Sequence, residues 1–222
     1  MLNINVKEFD ELGFTVIRSA ICEEKISEVG SIALRLKKEF GNEAIIGKTK
    51  NFGVPTFWKG LDMASKYDST LFNHYTSDLM KRIASQLLKS KEFYLFNDQI
   101  VVKEPKEDFE FTPHCDNEYG PNLELAKKGI FKTITCCWVL DDFTNVNGPI
   151  QFVSKSNEKI TPLPTAGSII VWDGNTIHSS SINKSDKIRS VWLLIYSSTD
   201  IHKISTSENY FDRFYNDKII CD

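Results

Sequence analysis

The feature that most constrains this sequence is a change of period near residue 91. Before it, apolar residues recur at helical spacing. Val6, Phe9 and Leu12 share one helical face, with Gly13 as the C-terminal stop. The short run Phe14-Thr15-Val16-Ile17 reads as a strand. Ile26, Val29, Ile32, Ala33 and Leu36 then predict a helix running to Gly41. Leu71, Tyr75, Leu79, Ile83 and Leu87 predict another over about 70–89. Residues 41–60 show no periodicity; Gly47, Gly53, Pro55, Phe57 and Trp58 mark a long ordered loop. Beyond 91, five segments read as strands: Phe93 to Val102, Lys132 to Leu140, Pro149 to Val153, Ser168 to Trp172 and Ser190 to Tyr196. Turn clusters such as Asn145-Val146-Asn147-Gly148-Pro149 and Asn183-Lys184-Ser185-Asp186 separate them. Helices followed by a run of short strands predict an α+β domain with a β-sandwich or barrel body. Without repeats, low-complexity tracts or linkers, residues 1–222 read as a single domain.

Composition narrows the function. Fifteen Phe, seven Tyr and four Trp in 222 residues can offset the entropy of ordering, which excludes a disordered chain. A length of this order supports a core that buries roughly 70% of the unfolded surface. The formal net charge is −3 and the Lys and Arg residues are scattered, so nothing electrostatic favours nucleic acid or an anionic membrane. No apolar run approaches the roughly 18 residues of a membrane span. The five cysteines are odd in number and lack CxxC spacing, which points to a reduced, cytoplasmic chain. The expected partner is a small molecule, and the expected state a monomer or homodimer.

Four histidines are present: His74, His114, His178 and His202. His114 stands in Thr112-Pro113-His114-Cys115-Asp116. On an extended chain, residues two apart point to the same side, so His114 and Asp116 could present an imidazole and a carboxylate to one ion. His178 opens a further strand after Trp172-Asp173-Gly174-Asn175-Thr176-Ile177. Two His and one carboxylate on a barrel would form a facial triad, leaving three positions of an octahedral Fe(II) open. Each piece also has an ordinary reading: a surface histidine for His114 or His178, and a capped turn for Asp116-Asn117. Arg189 follows His178 by eleven residues, across the Asn183–Asp186 turn. A strand, turn and returning strand would bring its guanidinium beside His178 to hold a carboxylate by a bidentate fork. The alternative is a barrel arginine paired with Asp or Glu.

Taken together, the opening Phe9-Asp10-Glu11-Leu12-Gly13-Phe14-Thr15-Val16-Ile17, His114-x-Asp116, Leu140-Asp141-Asp142-Phe143-Thr144-x-x-Asn147-Gly148-Pro149, His178-x-Ser180-x-x-Asn183 and Arg189 resemble the phytanoyl-CoA dioxygenase family. The resemblance spans nearly the whole chain. It implies a double-stranded β-helix (a jelly-roll, cupin-like core) with the N-terminal helices packed against it. It implies Fe(II), the cosubstrate 2-oxoglutarate and O2, and hydroxylation of an unactivated C–H bond of a small or medium-sized metabolite with release of succinate and CO2. Carried over by position, His114, Asp116 and His178 match the iron ligands. Arg189 matches the anchor of the cosubstrate's distal carboxylate, Ser180 a hydroxyl that assists it, and Trp138 an aromatic of the cosubstrate pocket. The family's Pro-Gly-Ser-His after the Asn-Gly-Pro turn is replaced here by Val153-Ser154-Lys155-Ser156-Asn157.

Other residues extend the expected site. Asn97 and Gln99, two apart in a strand, could both point into the barrel and contact 2-oxoglutarate or substrate, or could serve structure alone. Asn117 and Tyr119 share the parity of Asp116 and could face substrate, with loops 41–60 and 117–131 framing the pocket mouth. Cys115, Cys136 and Cys137 read as core thiols. Tyr210, Phe211, Phe214 and Tyr215 read as core cover or a subunit contact. Halogenation is disfavoured because Asp116 fills the position that a halide would need. The rival of another class is a jelly-roll protein that binds a ligand without catalysis.

Overall fold

The computed structural model describes residues 3–40, 61, 62, 64–118, 126, 128–200 and 217–221. Helix α1 (Val6–Leu12) is capped by Asn5, whose side chain accepts from Glu8 N at 3.1 Å, and it stops at Gly13 with φ +87°. A side chain at Gly13 would be strained by that φ and would also strike Thr176 Oγ1. Strand β1 (Phe14–Ile17) follows, then α2 (Glu23–Phe40), which buries Val29, Ala33 and Leu36 at helical spacing. The helix expected over about 70–89 is two helices, α3 (Thr70–Tyr75) and α4 (Asp78–Leu88). Their separation has a local cause. The hydroxyls of Thr76 and Ser77 donate back to the carbonyls of Phe72 and His74, and Ser77 takes an extended backbone.

The remaining strands are β2 (Leu61–Asp62), β3 (Glu92–Lys103), β4 (Phe111–His114), β5 (Thr133–Val139), β6 (Ile150–Val153), β7 (Lys159–Ile160), β8 (Ile169–Asp173), β9 (His178–Ser180), β10 (Arg189–Ser197) and β11 (Asp217–Ile220). They build two antiparallel sheets. The larger runs β1-β8-β5-β10-β3-β11, with β2 also on β3; the smaller runs β4-β9-β6-β7. This is a jelly roll, the double-stranded β-helix, with helices against one face of the larger sheet.

Two apolar cores result. Phe93, Leu95, Ile100, Val102, Cys136, Trp138, Trp192 and Leu194 pack outward against residues of α1, α2 and α4. Phe14, Val101, Cys137, Val139, Ile150, Phe152, Ile170, Trp172 and Val191 fill the space between the sheets. Strand β3 changes sides midway, because its register to β10 slips between Ile195 and Tyr196: Leu95 pairs with Tyr196, but Asn97 pairs with Ile195. Past this irregularity Asn97, Gln99, Val101 and Lys103 fall on the inner face and Asp98, Ile100 and Val102 on the outer.

Candidate metal and cosubstrate site

His114 ends β4 and pairs directly with His178, which opens β9 in the smaller sheet. Their rings lie 4.4 Å apart, centroid to centroid. Asp116 is not on an extended chain as parity suggested; it begins a 3-10 turn over Asp116–Glu118. The turn brings its carboxylate to the same point. One ligand atom from each of His114, Asp116 and His178 lies within 4.8 Å of the other two, and no other such trio exists among the described residues.

Each donor is held from behind. His114 Nδ1 lies 2.7 Å from the Thr112 carbonyl and His178 Nδ1 lies 3.0 Å from that of Thr176. A carbonyl only accepts, so each Nδ1 carries the proton and each Nε2 keeps its lone pair for an ion. Thr176 is itself anchored: its Oγ1 donates to the Gly13 carbonyl at 2.9 Å, so the end of α1 supports the turn that aims His178. Asp116 Oδ2 accepts from Thr135 Oγ1 at 2.5 Å and from Trp172 Nε1 at 2.8 Å. Its Oδ1 lies 3.6 Å from His178 Nε2, a gap that a metal ion can share rather than a hydrogen bond. Burial, and then His114, push the His178 pKa down against the opposing pull of Asp116, which favours the neutral imidazole that a metal requires. Neighbouring Cys115 is buried, which raises its thiol to about 12, and it is not part of the trio.

Arg189 opens β10 at 1% exposure. It does not arrive by the expected hairpin. β9 belongs to the smaller sheet and β10 to the larger, so the 183–186 turn crosses between layers. Asn183 fixes that crossing by donating to the carbonyls of Lys103 and Lys187 and accepting from Ser185. Arg189 Nη2 donates to Gly148 O at 2.5 Å and the guanidinium lies 5.1 Å from the Phe143 ring centroid. Its buried Nε has no hydrogen-bond partner among the described residues. Gly148 has φ +70° and lies so close to the Ser181 carbonyl that no side chain fits, which explains the Asn147-Gly148 turn. The Ser180 residue is buried on the strand of His178, with the same parity.

The other expected residues divide. Gln99, half-buried on the inner face of β3, and buried Asn97 share the side of Arg189. Trp138 does not belong to the cosubstrate pocket. It lies on the outer face of β5, where it donates to Met80 Sδ and packs on His74 and Trp192. The inner positions of that strand are Thr135, Cys137 and Val139. Asn117 is also corrected. Its amide is buried, donates to Asn175 Oδ1 at 2.9 Å and accepts from Thr133 Oγ1 at 2.7 Å, so it ties the turn after Asp116 to the neighbouring strands rather than facing substrate. His74 is bound to Glu28 in the helical layer. Tyr119, His202, most of 117–131, loop 41–60 and the aromatics at 210–215 lie outside the described residues. Thr135 and Trp172 were not singled out from sequence. The inward parity of Trp172 would have pointed to it once the strand register was known.

A jelly roll with two histidines and one carboxylate converging between its sheets defines a double-stranded β-helix protein with a candidate mononuclear metal centre. The sequence profile of the phytanoyl-CoA dioxygenase (PhyH) family matches residues 9–191, and the chain belongs to that family. No curated protein matches it by sequence. Among solved structures, it is similar to the non-heme alpha ketoglutarate dependent carbocyclase SnoK from nogalamycin biosynthesis, with TM-score 0.76, 16% identity, and coverage of 98% of this chain and 92% of that one. EctD from S. alaskensis with bound Fe gives TM-score 0.74, 16% identity, and coverage of 93% and 81%. The epimerase SnoN in complex with Fe3+, alpha ketoglutarate and nogalamycin RO gives TM-score 0.72, 18% identity, and coverage of 86% and 81%.

Proposed function

We propose that this chain is an Fe(II)- and 2-oxoglutarate-dependent oxygenase that hydroxylates an unactivated C–H bond of a small or medium-sized metabolite. The observation that carries the reading is the pinned trio: two Nε2 lone pairs and one carboxylate oxygen aimed at a common point, with every supporting atom already bonded. Two imidazoles and a carboxylate without thiolate suit Fe(II) and leave coordination positions for cosubstrate and O2. When bound, Fe(II) and 2-oxoglutarate supply the oxidant, with loss of CO2 and succinate. The protein's own residues do the rest. His114, Asp116 and His178 would hold the ion. Arg189, whose buried Nε has no hydrogen-bond partner among the described residues, would hold the distal carboxylate, with Ser180 beside it. Gln99 and Asn97 stand on the same inner face as Arg189 and would orient cosubstrate or substrate. Phe152 and Trp172, packed 6.0 and 4.9 Å from the His178 ring, exclude water from one side of the trio.

Family membership, the Fe bound in EctD, the Fe3+ and alpha ketoglutarate bound in SnoN and the alpha ketoglutarate dependence of SnoK support the cofactor set. The epimerase and the carbocyclase show that this fold hosts outcomes other than hydroxylation, so hydroxylation is the finer part of the proposal. The test is an anaerobic titration of Fe(II) and 2-oxoglutarate, followed by O2. A weak visible charge-transfer band that His114→Ala lacks, then succinate release, is expected. Absence of both with folded protein would overturn the reading in favour of a ligand-binding jelly roll.

A further inference from the structure

The inner face of the barrel carries one more charge than the proposed site has used. Lys103, the last residue of β3, stands directly across from Arg189, the first residue of β10. Both face inward, and Lys103 is 0% exposed. Side chains paired in this way start about 5 Å apart, and like charges directly opposite repel. The partners of Lys103 are neutral. Its Nζ donates to the carbonyl of Ser180 at 3.1 Å and to that of Ser181, and it stands 5.5 Å from the ring centroids of Phe109 and Phe111. Arg189 likewise donates to a neutral carbonyl.

Neither cation has a carboxylate ion-pair partner among the described residues. Asp98, the buried acid of β3, lies on the opposite face, where Trp192 and Ser65 bond it. The charges that favour the Lys103 ammonium, Glu110 and Glu107, are outweighed by burial and by Arg189, and the ammonium is pushed down to about 7. Glu107 and Glu110 near Lys103 and Asp141 near Arg189 offset part of the cost of two adjacent buried cations without ion-pairing to either, and an anion between the cations relieves more of it.

We propose that Lys103 is a second recognition residue for the distal carboxylate of the cosubstrate, gripping it with Arg189 from the neighbouring strand. This rests on the reading of the chain as a 2-oxoglutarate enzyme and deepens it. An ammonium has three donors, of which carbonyls take two, leaving one for a carboxylate oxygen. The Arg189 Nε edge serves the other oxygen. A 2-oxoacid of the same length with an uncharged tail would leave both cations unmatched, so the pair selects for a dicarboxylate.

The test is equilibrium binding to the Mn(II)-loaded, full-length protein, read by tryptophan fluorescence or calorimetry rather than turnover. The probes are 2-oxoglutarate and 2-oxopentanoate, which lacks the distal carboxylate. Lys103→Met should weaken 2-oxoglutarate by at least about tenfold and leave 2-oxopentanoate within about twofold. Where Lys103→Met fails to fold, Lys103→Gln retains a donor for the Ser180 carbonyl and should show the same selective loss. Equal losses for both ligands would make Lys103 a strut for the Ser180 and Ser181 carbonyls and overturn the proposal, as would no loss at all. Failure of the wild type to bind 2-oxoglutarate would instead sink the cosubstrate reading, and the two-cation grip with it.

Discussion

Replacing Trp172 by Phe removes one hydrogen-bond donor from the candidate metal centre while keeping an aromatic ring in place. The indole is 1% exposed, 4.9 Å from the His178 ring and 5.5 Å from Phe152, and these contacts are within reach of a phenyl group. What is lost is the 2.8 Å bond from Nε1 to Asp116 Oδ2. A bond to a charged acceptor contributes about 1.5–3 kcal/mol. Thr135 still donates to the same oxygen, so the carboxylate stays in place but gains freedom to rotate. Rotation lets both oxygens approach the ion and spreads the ligand geometry. Loss of such outer contacts typically lowers metal affinity by about 10–100-fold. Anaerobic Fe(II) titration of the Trp172→Phe protein should therefore give a dissociation constant raised by at least about tenfold. The smaller ring also leaves a void costing about 1–3 kcal/mol, so the Tm should fall by several degrees without loss of cooperativity. Unchanged affinity and an unchanged charge-transfer band in a folded variant would show that backbone geometry alone orients Asp116, and the reasoning would fail.

Three further outcomes are expected. His114→Ala should abolish Fe(II) binding and coupled succinate release, with a Tm close to wild type because the ring sits at a strand end; full activity with added Fe(II) would remove His114 from the ligand set. Arg189→Leu should raise the apparent KM for 2-oxoglutarate by tens- to thousands-fold, from a loss of about 2–5 kcal/mol, with a much smaller change in the KM for substrate. The third outcome concerns pH. Lys103 titrates at about 7 in the fold against 10.5 in the free side chain, so between these values the unfolded chain holds a proton that the folded one lacks. Stability from this group therefore rises with pH across that window, by up to about 1.4 kcal/mol per unit. Urea unfolding at pH 7, 8 and 9 should show this increment in wild type and not in Lys103→Met; parallel slopes would refute it.

Much of the architecture was legible because the change from helical spacing to short alternating strands is a backbone-level signal. The convergence of His114, Asp116 and His178 was legible as a pattern, although the route by which Asp116 arrives was not. A 3-10 turn and an extended chain place residue i+2 differently, and only the fold shows which one applies. Trp138 was misjudged because every residue of β5 is buried, Thr133 through Val139, so no polar alternation marks which face is inward. The helix expected over 70–89 failed where two hydroxyl residues, Thr76 and Ser77, outweighed a continuous four-residue repeat. Asn117 had the right parity for a substrate contact, yet its amide is consumed by Thr133 and Asn175, partners far away in sequence. The hairpin drawn to Arg189 joined two segments that belong to different sheets, which local turn chemistry does not reveal.

The register slip opposite Ile195 and Tyr196 makes β3 a strand with two phases. Its first half dedicates odd-numbered side chains to the helices; its second half dedicates even-numbered ones. Deleting the surplus residue would leave an unbroken alternation with both halves facing as they do, whereas one further residue inserted beside it would turn the second half inside out. Asn97, Gln99 and Lys103 would then be driven against the apolar helical layer, while Ile100 and Val102 would line the barrel. The alternation of one continuous strand thus keeps a hydrophobic docking surface and a polar chamber apart on either side of one surplus residue. For any engineered or natural variant of this protein, lengthening of β3 before Asn97 should be tolerated less well than a change in the identity of its side chains.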